Sequence, residues 1–240
     1  MTSTKTRINK YLARAGICSR READKLITAG EVEVNGKKAD IGMPISEEDK
    51  VKVNGKIIHP ITEKIYIAFH KPYGVITTTD ADSNNNIMEY IDLPSRVFPI
   101  GRLDVESSGL ILLTNDGEIV NKLLKSENKQ EKEYLVTVDK PFIKSDIEKL
   151  QNGIMLDDRK TLPAKVKLIS SHQLSITIIQ GMNRQIRRMC QSLGYEIKIL
   201  KRVRFAGIQL GDLTRGKWRY LTAEEMKSLA NDHELIKCRK

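Results

Sequence analysis

The chain predicts an α+β fold in two modules. Three observations carry that reading. Helical and strand patterns follow one another without regular βαβ alternation, a break around Pro60 separates two stretches, and 240 residues are comfortable for two cores. Hydrophobic residues make up 40% and charged residues 30%, a composition that folds instead of staying disordered.

Residues 7–30 read as two short helices. Ile8, Tyr11, Leu12 and Ala15 fall at helical spacing, and Gly16 ends the turn. Ser19 starts the second helix, with Glu22 three residues later as a capping box, and Gly30 closes it. Ala23, Leu26 and Ile27 form its apolar side. Two segments then echo each other, VEVNGK at 32–37 and VKVNGK at 51–56. Asn-Gly between alternating residues predicts a tight hairpin, since both positions tolerate positive φ. The echo reads as two similar turns and not as a true repeat.

A second module begins at Ile65. Residues 65–69 are strand-like, Lys71-Pro72-Tyr73-Gly74 is a turn, and 80–86 is a polar loop. Gly101-Arg102-Leu103-Asp104 leads through a polar stretch into a buried strand at 110–113. A helix capped by Asp116 or a neighbour carries Ile119, Val120, Leu123 and Leu124. Residues 132–138 alternate, with Tyr134, Val136 and Val138 on one face. A helix at 145–151, a strand at 176–179, a helix at 183–193 and a strand pattern at 195–200 follow. Thr222 and Glu225 form a last capping box.

Charge bounds the partner. The net charge is +10, which points to a polyanion, most simply nucleic acid. It is concentrated in two places. Residues 5–25 carry seven basic side chains against Glu22 and Asp24, a net of +5, and residues 181–204 carry seven against Glu196, a net of +6. In the second strip Ile186, Met189, Cys190 and Leu193 share one helix face, while Arg184, Arg187, Arg188 and Gln191 share the other. Those arginines lack acidic partners at i+4, which favours an anion contact over a merely solvated face.

Several classes are excluded. Apolar runs are only a few residues long, so no membrane span or export signal is read. Three distant cysteines, Cys18, Cys190 and Cys238, suit a reducing cytoplasm and not a disulfide framework. Histidines and cysteines do not combine at metal-ligand spacing, and no P-loop, dinucleotide or nucleophile-elbow motif occurs. The expectation is therefore no metal and no cofactor.

Asp104 stands out among the candidate chemical groups. It sits at the mouth of a buried strand, beside the small residues Ser107, Ser108 and Gly109. Alone, an Asp next to an Arg in a turn reads as a local ion pair, and Tyr134 alone reads as a half-buried strand tyrosine.

The motifs together say more. Residues 7–37 (RINKYLARAGICSRREADKLITAGEVEVNGK) resemble the S4 RNA-binding domain. KPYGV (71–75), GRLDVESSGLILLTNDG (101–117), EKEYLVTV (131–138) and GMNRQIRRMCQSLGYEIKILKR (181–202) resemble the RsuA-type ribosomal RNA pseudouridine synthases, most closely the F-type enzymes of the large subunit. His70 stands before Lys71-Pro72 where that family usually has Asn. The resemblance implies an S4 helix-helix-strand domain at 5–60. It also implies a catalytic domain at 65–235, built on a mixed, mainly antiparallel sheet flanked by helices.

It also implies roles. Asp104 would be the catalytic aspartate, Tyr134 would stack on the target base, and Arg187 would pair with Asp104. Arg7, Lys10, Arg14, Arg20, Arg21, Arg102, Arg184, Arg188, Lys201 and Arg202 would contact RNA. The implied activity is isomerisation of a specific uridine in bacterial large-subunit (23S) rRNA, free or in an assembling ribosomal particle, with tRNA as a further substrate class. The protein would be a cytoplasmic monomer. The chemistry suits these residues, because an arginine keeps a carboxylate ionised and a tyrosine offers a flat face to an extruded base. The competing reading is a non-catalytic RNA-binding assembly factor.

Overall fold

A computed structural model describes residues 5–80, 82–124 and 130–231. Residues 232–235 of the expected catalytic domain, and Cys238, lie outside them. The chain divides into two compact units. One comprises residues 1–65 with 93–97 and 115–117, the other residues 66–92, 98–114 and 118–240.

The first unit opens with β1 (Thr6–Arg7), α1 (Ile8–Arg14) and α2 (Arg20–Thr28). The Ser19 hydroxyl accepts from the Glu22 amide at 3.2 Å, and the Glu22 carboxylate accepts from the Ser19 amide at 2.6 Å. This is the expected capping box. Next come β2 (Val32–Val34), β3 (Lys37–Lys38), β4 (Pro44–Ile45), β5 (Val51–Val53) and β6 (Lys56–Ile58). The two Asn-Gly turns adopt left-handed backbone throughout: Asn35 and Gly36 have φ of 52° and 78°, Asn54 and Gly55 of 48° and 76°. The echoing hairpins lie side by side in one four-stranded sheet, order β3-β2-β5-β6, with Val32 opposite Val53 and Val34 opposite Val51. These valines point inward onto Ile8, Leu12, Ala23 and Ile27. Four strand residues at period 2 and the apolar sides of two short helices thus close one small core.

The second unit is a nine-stranded sheet. Its strands are β7 (Tyr66–Lys71), β8 (Phe98–Pro99), β9 (Ser108–Thr114), β10 (Lys132–Val138), β13 (Lys165–Ser170), β14 (Gln173–Ile178), β15 (Ile197–Phe205), β16 (Ile208–Gln209) and β17 (Trp218–Tyr220). A small hairpin of β11 (Met155–Leu156) and β12 (Arg159–Lys160) stands apart. The helices are α3 (Gly117–Leu124), α4 (Lys144–Asn152), α5 (Gln185–Ser192) and α6 (Ala223–Asn231). The order is β13-β14-β10-β15-β9-β7-β17, with β8 on β9 and β16 on β15. Among the described strands of this sheet only β15 and β9 pair in parallel, Lys201 with Ser108 and Arg202 with Gly109. The fold is therefore α+β with a mixed, mainly antiparallel sheet. Ala68, Leu110, Leu112, Ile119, Leu123, Phe205 and Leu229 form a core cluster of this unit. Among the described residues no helix is long and apolar enough to cross a membrane.

Two local expectations change. The helix predicted at 183–193 begins only at Gln185, because Arg184 adopts left-handed backbone with φ 48° and ψ 32°. In the loop predicted at 80–86, Asn86 is buried and its side chain caps a short 3₁₀ turn, Ile87–Tyr90, accepting from the Met88 amide at 2.7 Å.

Candidate active site

The second unit holds a cleft of about 650 Å³ whose lining includes Asp104, Lys132, Tyr134, Arg184, Leu200 and Arg202. Asp104 stands on the turn before β9. That turn is fixed from below. Thr77 donates its hydroxyl to the Leu103 carbonyl at 2.8 Å, and Leu103 is buried. Lys71, fully buried at the end of β7, donates its ammonium to the carbonyls of Pro72 (2.9 Å) and Ser107 (2.8 Å), with Val105 at 3.4 Å. One side chain thus ties the Pro72-Tyr73 turn to the loop that carries Asp104. Burial pushes Lys71 down to about 8, and the Asp104 charge opposes that shift.

Tyr134 lies on β10 between Ile176 of β14 and Arg202 of β15. Its side chain is buried but lines the cleft. Lys132 is two residues away on the same strand face and also lines the cleft. Burial, and then the Arg202 charge, push Lys132 down to about 8. Among the described residues, Asp104 is the one carboxylate of the lining, against Arg102, Lys132, Arg184 and Arg202. A polar, strongly cationic trough with one acid suits a polyanion that offers one group for chemistry.

Arg202 is among the expected RNA contacts; strand alternation turns it inward and leaves it 2% exposed. Its Nε donates to the Leu110 carbonyl at 2.7 Å, and its guanidinium lies 5.0 Å from the Phe205 ring centre. Its Nη2 is buried with no hydrogen-bond partner among the described residues. It belongs to the cleft and not to an outer surface. Lys201, the next residue, faces the opposite side of the sheet, opposite Leu135.

One expectation, the Arg187–Asp104 pair, is corrected. Arg187 reaches the same loop but two residues further on. Its Nη2 donates to the Glu106 carbonyl at 2.6 Å and lies 3.4 Å from the Ser107 hydroxyl. The Asp104 charge acts instead on Lys71 and Arg184. Arg184, Arg187 and Arg188 do have acidic partners, supplied by loops and not by i+4 positions: Arg184 binds Glu106 at 2.6 Å, Arg187 Nε lies 3.6 Å from the same carboxylate, and Arg188 binds Asp157 at 2.5 Å.

The remaining RNA-contact candidates are placed as follows. Arg102 is exposed at the cleft rim. In the first unit Arg7, Arg14, Arg20 and Arg21 are exposed and Lys10 is half-buried. Sequence reasoning missed Lys71 and Lys132. Lys132 could have been found, because it stands two residues before Tyr134 and so shares its face. Lys71 was read only as part of a turn, although it directly follows a buried apolar strand.

Comparison with known proteins follows the same division. Residues 65–192 match the family model for RNA pseudouridylate synthase, and residues 6–51 match the S4 domain. The chain is 46% identical over 231 residues to the dual-specificity RNA pseudouridine synthase RluF of Salmonella typhi, covering 95% of this chain and 80% of that protein. It is 40% identical over 232 residues to the ribosomal large subunit pseudouridine synthase B of Bacillus subtilis, covering 93% of this chain and 95% of that protein. A crystal structure of a pseudouridylate synthase, 30% identical, superposes with a TM-score of 0.70 over 93% of this chain and 99% of that one.

Proposed function

The chain belongs to the RNA pseudouridylate synthase family and is an RNA pseudouridine synthase with an S4 domain, and from that premise we propose that its substrate is a uridine of bacterial large-subunit rRNA. The single observation that carries the site is the Asp104 carboxylate, the one acid among the described residues of a cationic cleft it shares with Tyr134.

The reaction breaks the N1–C1′ bond of uridine and forms a C5–C1′ bond within the same nucleotide. A proton leaves C5 and one is gained at N1. Nothing is oxidised or reduced, so carboxylate, stacking and positioning groups meet the chemical demand. Asp104 acts at the junction of base and ribose. Tyr134 supplies the face on which the extruded uracil stacks, worth about 1–3 kcal/mol. Arg187 acts as a positioning residue, since it holds the Glu106 carbonyl and the Ser107 hydroxyl just past Asp104. Residues 5–60 bind RNA phosphates through Arg7, Lys10, Arg14, Arg20 and Arg21, and residues 65–235 carry out the chemistry. At the cleft, Arg102, Arg184 and Arg188 are the phosphate contacts. We place the enzyme in the cytoplasm as a monomer, acting on free rRNA or an assembling particle.

The test is to incubate large-subunit rRNA, and separately tRNA, with the protein and map pseudouridine by carbodiimide modification. The wild type is expected to modify one uridine or a few clustered ones in the rRNA. Asp104→Asn is expected to bind RNA as before and to form no product. Wild-type product from Asp104→Asn would overturn the assignment.

A further inference from the structure

The lip of the cleft carries an ion-pair cluster whose acid, Glu106, the reaction does not use. Arg184 Nη2 lies 2.6 Å from one Glu106 carboxylate oxygen, and Arg187 Nε lies 3.6 Å from the same oxygen. Two guanidinium groups therefore face one anionic atom. The fit is incomplete, because Arg187 Nε is buried without a hydrogen bond and 3.6 Å is too long for one. The Arg184 and Glu106 side chains remain 45% and 47% exposed. The arginine pair holds the Glu106 carboxyl below the usual carboxylate range, so it is anionic at neutral pH. An exposed pair of this kind adds little to fold stability. Yet Arg184 is held in left-handed backbone, a conformation an arginine rarely adopts without constraint. Glu106 is two residues from Asp104, and Arg184 lines the cleft.

We infer that Arg184 and Arg187 form a phosphate subsite for the RNA strand entering the cleft, and that Glu106 occupies it as an internal stand-in until a backbone phosphate displaces it. A phosphodiester offers two non-bridging oxygens in a tetrahedral arrangement and can meet two guanidinium groups at once. Glu106 keeps the arginines aligned in the free protein and raises the threshold for weakly bound anions. This inference rests on the RNA-modifying reading of the same cleft, and it adds a built-in competitor for the substrate.

The test measures binding, not turnover. A fluorescent RNA hairpin with a uridine-rich loop is titrated against the full chain at low salt, with fluorescence anisotropy as the readout. Glu106→Gln is expected to bind about 2- to 5-fold tighter, the scale of one exposed charge interaction. Arg184→Gln is expected to bind more weakly, and the double variant no tighter than Arg184→Gln alone. Glu106→Ala serves as a second variant with the same expected sign. Unchanged or weaker binding by both Glu106 variants would overturn the inference. So would an equal gain in the Arg184→Gln background, which would mean a charge effect acting through space. Failure of the wild type to form pseudouridine would instead strike the functional reading, leaving the affinities to be judged on their own.

Discussion

At the scale of single residues, the site depends on where charge is placed relative to burial. Lys132 lines the cleft and is held down to about 8, so it carries most of its charge at pH 7 and loses it just above. RNA affinity should therefore fall as pH rises from 7 to 9, and Lys132→Met should flatten that dependence; anisotropy titrations across the range check it, and a wild type insensitive to pH would contradict it. Stability runs the other way. Above about pH 8 folded Lys71 and Lys132 release protons that the unfolded chain keeps until about 10.4, so the unfolded state binds more and stability rises with pH in that window. Urea midpoints measured from pH 8 to 10 should climb, and less so in Lys132→Met. Asp104 and Tyr134 were legible because each sits in a motif of neighbours. The burial of Arg202 was not legible because a count of basic residues does not see strand parity. The Arg187 partner was misjudged because a pairing across about eighty residues leaves no local trace.

At the scale of elements, one glycine decides whether the sheet can hold the cleft together. Gly109 has φ +108°, and a Cβ there would lie 2.2 Å from the Arg202 carbonyl oxygen. That backbone contact is the parallel pairing of β9 with β15, which brings the Asp104 turn beside the strand bearing Leu200 and Arg202. Gly109→Ala must part the strands, so it should cost more than about 4 kcal/mol or leave the protein insoluble. Gly36→Ala is the contrast. Its φ is +78°, but nothing lies within 4 Å of the added Cβ, so the cost should be only about 1–2 kcal/mol of backbone strain. Urea denaturation of both variants checks the difference, and similar losses would refute the packing argument. The hairpins and capping boxes were readable because Asn-Gly and Ser-x-x-Glu act within four residues. The β9–β15 pairing was not, since it joins segments about ninety residues apart. The edge strand β13 was not foreseen either: it is largely exposed and lacks a clean alternation.

At the scale of the molecule, half of the excess charge sits in one short segment, since residues 5–25 carry +5 of the total +10. Composition alone pointed to a polyanion but could not say which cations meet it. Arg7, Arg14, Arg20 and Arg21 are exposed, whereas the cations of the cleft include the deeply buried Arg202. If the first unit grips phosphates while the second does chemistry, the two sets should separate kinetically. Replacing the four exposed arginines with glutamine should lower the slope of log K against log salt by about 3, at just under one per phosphate contact. KM for RNA should rise, with kcat at saturating RNA within a few-fold of wild type, because the lost interactions act equally on ground and transition states. Arg187→Ala should do the reverse, lowering kcat while the salt slope changes by no more than about one. Single-turnover rates at several salt concentrations would read both quantities from one set of reactions. A four-arginine variant with an unchanged slope would move the RNA footprint off the first unit altogether.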